Sequence, residues 1–223
     1  MAEPKGLHTI AAGMTRRVTA VDLVRESLRS AILRGDLPGE TQLVQTEIAN
    51  QLGVSTTPVR EAMRDLASEG LITLDSHRIG TVRRPDWNEM VEIVDMRRSL
   101  ERLAIERAMT NISPEDLAEA RRLADELADE QDVGSWVQKN RDFHSIFHKA
   151  TATRRLGTLL IALESAGGVF VAQAQRLHPE MRRRAIDDHF ALLGAFDRKD
   201  VDEAVSIQYT HINLPLEAFE LDG

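Results

Sequence analysis

The sequence predicts a mainly α protein in two parts, an N-terminal winged helix-turn-helix followed by an all-α antiparallel helix bundle. Three observations carry that prediction. Two apolar-periodic segments meet at Gly53-Val54 inside VQTEIANQLGVSTTPVREAMRDLASEGLITL, Val44 to Leu74. Two short β-prone runs, LITL and TVRR, follow directly around a polar loop closed by Gly80. From Trp87 onward there is no alternating pattern, only helical stripes separated by short breaks.

In order, residues 1–18 carry Gly, Pro and few large apolar groups, which predicts an arm with little fixed structure. Arg16 and Arg17 there either touch a nucleic-acid backbone or belong to a plain tail. Helix 1 is predicted over Thr19 to Arg34, with Val21, Val24, Leu28, Ala31 and Ile32 as its stripe. Gly35 ends it, DLPGE turns the chain, and a second helix follows near Val44 to Leu52.

The third helix is the informative one. At 100° per residue Val59, Ala62, Met63 and Leu66 fall on one side, and Thr57, Arg60, Glu61 and Arg64 on the other. Ser55 is the expected N-cap, its hydroxyl accepting from an orphan amide, and Pro58 in the first turn loses no helical bond. The start of this helix therefore offers amides and small hydroxyls to an approaching phosphate. A hairpin directly after such a helix pair reads as a wing, with His77 and Arg78 near its tip, within reach of a minor groove. The alternative is an ordinary helical hairpin in a bundle core.

Arg83-Arg84-Pro85-Asp86 marks the expected boundary, giving a unit over 19–84 and a bundle over 87–221. Six bundle helices are expected at about 87–110, 114–131, 135–151, 154–177, 180–198 and 200–219. The chain has no cysteine, so no disulfide framework exists. Neither a signal-peptide pattern nor an apolar run of about 18 residues stands out, and a soluble cytoplasmic protein without membrane partners is expected. Charge is uneven: Met1 to Pro85 holds 11 Lys+Arg against 10 Asp+Glu, the remainder 17 against 26. A near-neutral unit binds phosphates weakly on its own, which argues for two copies on a two-fold DNA site.

Seven histidines stand at 8, 77, 144, 148, 178, 189 and 211. In the helix near 135–151, Trp136, Phe143 and Phe147 form the apolar face, and Asn140 and His144, four apart, point the same way. His189 falls among Ile186, Phe190, Leu193 and Phe196, and His211 at the shoulder of Val201, Ala204, Val205 and Ile212. Three imidazoles and an amide from three helices thus aim at one interior. A divalent metal satisfies several imidazoles at once, zinc before nickel or manganese; the alternative is three separately hydrogen-bonded core histidines. His148 lies toward the edge of the face and ranks below the other three.

The run from Ile32 to Ile72, with Gly-x-Leu-Pro-Gly, Val-Ser-x-Thr-Pro-Val-Arg-Glu-Ala and Glu-Gly-Leu in order, resembles the DNA-binding domain of GntR-family bacterial transcription regulators. FHSIFHKATATRRLGTLL, Asp188-His189 and Thr210-His211-Ile212 resemble the FCD effector domain of the FadR subfamily. The resemblance implies DNA contacts from Thr46, Ser55, Thr56, Thr57, Arg60, Arg64, His77, Arg78 and Gly80. Thr46 and Thr56 stand where members often carry Arg, which implies a different operator or a greater share for Arg60, Arg64 and the wing. It maps the metal ligands onto Asn140, His144, His189 and His211, with Asn140 standing where metal-binding members carry Asp. It also places Arg97 as a grip for an effector carboxylate, the alternative being a surface pair with Glu101. The implied whole is a homodimeric repressor of a palindromic operator, answering to a small organic or sugar acid. Against an enzyme built on three histidines, there is no glutamate spaced to act as base, no phosphate loop and no nucleophile elbow. A regulator with a metal-free pocket is the remaining alternative.

Overall fold

A computed structural model describes residues 18–75 and 79–221. Residues 1–17 of the expected arm and the wing-tip residues His77 and Arg78 lie outside the described residues.

The N-terminal unit opens with α1 (Ala20–Arg34). Thr19 and Asp22 form a reciprocal capping box at its start, and Gly35 at φ 88° ends it in the left-handed region. A two-residue strand β1 (Gln42–Leu43) precedes α2 (Gln45–Leu52), and Gly53 at φ 65° makes the turn into α3 (Thr56–Ser68). Ser55 occupies the N-cap position with extended backbone, but its side chain makes no capping bond, contrary to expectation. Val59, Ala62, Met63 and Leu66 are completely buried, as their helical angles require.

Strands β2 (Ile72–Leu74) and β3 (Gly80–Val82) form the wing hairpin, registered Ile72 to Val82, Thr73 to Thr81 and Leu74 to Gly80. The sheet order is β1-β3-β2, all antiparallel, so β1 covers the far edge of β3. Asp75 closes the hairpin locally, its Oδ1 accepting from the Ile79 amide at 2.8 Å.

The bundle comprises α4 (Trp87–Asn111), α5 (Pro114–Asp129), α6 (Val133–Ala150), α7 (Arg154–Leu177), α8 (Pro179–Arg198) and α9 (Val201–Glu220). A capping box at Ser113–Asp116 opens α5, Pro179 opens α8, and Lys199 at φ 57° separates α8 from α9. Pro215 sits inside α9, which continues through it despite the lost amide donor. By length and composition α7 is apolar enough to cross a bilayer, with mean hydropathy 1.5 over its richest stretch, contrary to the expectation that no apolar run of about 18 residues exists. It packs instead against α4, α6 and α9, with Leu160, Leu163, Phe170 and Glu164 inside.

Unit and bundle are in contact. Helix α1 lies on α3 with one side and against α6 and α7 with the other. The approach is tight at Gly134, where an added Cβ would stand 2.8 Å from Ser30 Oγ and 3.1 Å from Ser30 Cα.

Candidate functional site

The outward face of α3 and the mouth of its first turn form one exposed surface. Thr46, Ser55, Thr56, Thr57 and Arg64 are exposed, and Arg60 is half-buried. Among the described residues neither Arg60 nor Arg64 makes an ion pair, and Arg60 Nε is buried with no hydrogen-bond partner. The arginines of α1 behave differently: Arg25 pairs with Asp22 and Asp65, and Arg29 with Glu26 and Glu69. The ion pairs thus hold α1 on α3 from behind and leave the cations in front unmatched, which is the condition for binding a polyanion.

Gly80 requires a correction. An added Cβ there would stand 2.6 Å from Met63 Cε and 3.2 Å from Ile72 Cδ1, so this glycine lies in the core under α3 rather than on the exposed face. It lets the wing lie close against the third helix.

In the bundle, His144 of α6, His189 of α8 and His211 of α9 converge, with one potential ligand atom from each within 4.8 Å of the others. His144 Nε2 and His211 Nε2 stand 3.1 Å apart, and His189 completes the group with ring centroids 5.1 Å from His144 and 4.8 Å from His211. His211 Nδ1 lies 3.3 Å from Asp188 Oδ2, an orienting carboxylate behind the ring. Both ring nitrogens of His189 are buried without a partner. Burial, with the neighbouring imidazoles, pushes the basicity of His144 and His189 well below the ordinary value, so both rings are neutral and offer lone pairs. Such a donor set suits a divalent ion of the zinc type, which takes imidazole nitrogens at roughly 2.0–2.1 Å. Phe190, expected among the buried neighbours of His189, is 43% exposed.

Asn140 lies buried on α6, one turn before His144. Its Nδ2 donates to Glu164 Oε1 at 3.3 Å, an orientation the carboxylate dictates, and its Oδ1 is left without a partner. Asn140, Glu164, Arg97, Trp136 and His211 line one pocket.

Arg97 is buried rather than at the surface. Its Nε and Nη2 donate to Glu101 Oε1 at 3.1 and 3.0 Å, and Nη2 stands 2.8 Å from Glu164 Oε2. Neither pair uses Nη1. Burial alone would raise the Glu101 carboxyl, but Arg97 and His148 overturn that and hold it at about 2. His148 is accordingly interior, its Nε2 3.7 Å from Glu101 Oε1 and its Nδ1 unpartnered. Glu164 was missed in the sequence. The available signal was a lone carboxylate in the apolar run LLIALESAGG, four residues after Leu160, where burial demands a partner.

An exposed helix with unmatched cations beside a three-stranded wing, joined to a helical bundle, defines a DNA-binding transcription regulator. Residues 21–82 match the family described as "Bacterial regulatory proteins, gntR family", and residues 92–214 match the FCD domain. The chain belongs to the GntR family, in the group that joins this DNA-binding domain to an FCD domain. It is 29% identical to the HTH-type transcriptional regulator McbR of Escherichia coli K12, over 84% of this chain and 87% of that one. It is 28% identical to the gluconate operon transcriptional repressor of Bacillus subtilis 168, over 96% and 89%. The solved structure of E. coli McbR/YncC superposes with TM-score 0.75 at 24% identity, covering 93% of this chain and all of that one. A GntR-family regulator from Pseudomonas syringae pv. tomato gives TM-score 0.52 at 29% identity, over 90% and 84%.

Proposed function

We propose that this regulator is a cytoplasmic homodimeric repressor that sets the α3 helices of two copies in successive major grooves of a palindromic operator. Thr46, Ser55, Thr56, Thr57, Arg60 and Arg64 make the contacts, and His77 and Arg78 of the wing add others. Support for two copies is the weak net charge of one N-terminal unit, +1 over Met1 to Pro85. Several relatives are named as repressors, the gluconate operon repressor among them.

In the bundle, His144, His189 and His211 hold a divalent metal, with the Asn140 amide oxygen as a further donor. The observation that carries this is the convergence of three imidazoles from three helices, one of them with both nitrogens buried and unpartnered. When bound, the metal supplies open coordination positions for an oxygen ligand. A small organic or sugar acid then binds in the neighbouring cavity, its carboxylate meeting Arg97 at Nη1, the edge that Glu101 and Glu164 leave free. Such a ligand changes operator affinity only as far as it binds one arrangement of the N-terminal units better than another.

The test is a selection of bound duplexes from a random library, then titration of the selected duplex with chelator-stripped and zinc-loaded protein. No binding to any duplex at low ionic strength would overturn the regulator. Less than one zinc per chain would overturn the metal centre and favour a cavity working by hydrogen bonds alone, for which the unpartnered Asn140 Oδ1 is the supporting observation.

A further inference from the structure

A second pocket lies between the N-terminal unit and the bundle, lined in part by Arg29, Glu69, Gln138, Arg141, Asn140 and Glu164. Asn140 and Glu164 also line the ligand cavity, so the two spaces share a wall. That wall is held by the hydrogen bond from Asn140 Nδ2 to Glu164 Oε1. Arg141, the next residue of α6, reaches across to Glu69 Oε2 at 3.9 Å. Glu69 is the C-cap of α3, the helix proposed to read DNA.

Glu69 is shared unequally. Arg29 of α1 takes it as a fork, with Nε on Oε2 at 2.9 Å and Nη2 on Oε1, inside the N-terminal unit. Arg141 takes it from the bundle through one long contact, beside the like charge of Arg29. Burial and that neighbouring cation both disfavour the charged form of Arg141. The fork therefore survives a small displacement that breaks the long contact, since a single extended ion pair contributes little. Loss of the contact frees the C-terminal end of α3 from α6 and leaves α3 fixed to α1, whose own packing on α6 and α7 persists. A second touch lies alongside: Ala166 Cα, two residues beyond Glu164, stands 4.0 Å from where a Cβ on Gly70 would lie.

We propose that Asn140–Glu164 and Arg141–Glu69 form a latch through which occupancy of the ligand cavity sets how the DNA-reading helix is held against the bundle. This rests on the metal and ligand reading above. A donor or ion that draws on Asn140 Oδ1 pulls the same turn of α6 from which Arg141 hangs. Arg141 acts here as a positioning residue, touching neither metal nor DNA.

The chain has no cysteine, so Glu61→Cys on α3 and Glu115→Cys on α5, both exposed, carry a pair of nitroxide labels. Pulsed electron resonance reads the distance between them. In metal-free protein, Arg141→Gln broadens the distance distribution, and Arg141→Lys restores it in part. Zinc shifts or narrows the distribution of the otherwise unchanged protein; in Arg141→Gln that response is absent while zinc affinity stays within about twofold. An unaltered distribution in metal-free Arg141→Gln overturns the latch, as does a full zinc response in that variant. Zinc that binds without moving the distribution of the parent overturns the coupling. Failure to bind zinc at all removes the metal centre instead, and the metal-free comparison alone then decides the latch.

Discussion

The Nε2 atoms of His144 and His211 face one another across 3.1 Å in the interior of the bundle. At that separation the two rings satisfy each other only if one donates to the other, and His189 beside them then has nothing to bond. A shared cation resolves all three rings. His189→Ala should therefore reduce bound zinc well below one per chain, read by elemental analysis after dialysis. Full occupancy in that variant would take His189 out of the ligand set.

The same burial predicts a pH effect on the metal-free protein. His144 and His189 have folded basicities far below the ordinary 6.5, so in moderate acid the unfolded chain binds protons that the folded chain refuses. Stability is complete above about pH 6.5 and lost as pH falls below it, by up to ~1.4 kcal/mol per pH unit for each ring. Urea unfolding midpoints at pH 7.5, 6.5 and 5.5 check this, and His189→Leu should flatten the dependence. A midpoint that holds steady down to pH 5.5 would contradict it.

On the DNA side, Arg60→Ala should weaken binding to a selected operator by about 1–3 kcal/mol at fixed salt. Arg60 makes no ion pair among the described residues, so its removal should leave the melting temperature within about 0.5 kcal/mol equivalent of the parent. Equal operator affinity for variant and parent would reject the assigned face.

Arg97 predicts the opposite pattern. Replacing it with Met leaves Glu101 and Glu164 buried without their cation, which costs about 3–5 kcal/mol of stability. Thermal unfolding reads this directly, and an unchanged melting temperature would show that the pair is not formed in solution.

Two glycines of α7 should differ in sign. A Cβ at Gly157 would meet the His148 carbonyl oxygen at 2.5 Å, a backbone atom that cannot step aside, whereas nothing stands within 4 Å at Gly167. Gly157→Ala should destabilise by about 1–3 kcal/mol. Gly167→Ala should stabilise by roughly 0.5–1 kcal/mol, because alanine loses less backbone freedom in a helix. Unfolding midpoints of the two variants decide it.

The sequence made legible whatever helical angle alone determines. The buried Val59, Ala62, Met63 and Leu66 and the inward His144 follow from 100° steps, as does the four-residue spacing of Arg97 and Glu101. What angle cannot supply is the neighbour on the other side. Phe190 shares the stripe of His189, yet among the described residues no element covers it fully and it stays exposed. Gln42 and Leu43 become a strand only because β3, almost forty residues on, lies beside them. Glu164 looked like one polar residue in an apolar helix, and its meaning depends on Arg97 and Asn140, both remote in the chain. Ser55 shows the converse: the right residue at a helix start whose hydroxyl does not make the expected bond, and which lies exposed at the start of α3.

Helix α1 carries one hydrophobic interior from the N-terminal unit into the bundle. Its Val24 and Leu28 are buried in the same continuous cluster as Trp136 and Val137 of the bundle, and Arg176 of α7 donates to the Leu33 carbonyl. Cutting the chain after Pro85 would uncover the bundle-facing flank of α1 to water. Anyone grafting these first 85 residues onto a foreign sensor should expect a sticky, poorly behaved fragment unless the new neighbour presents a groove shaped like the one between α6 and α7.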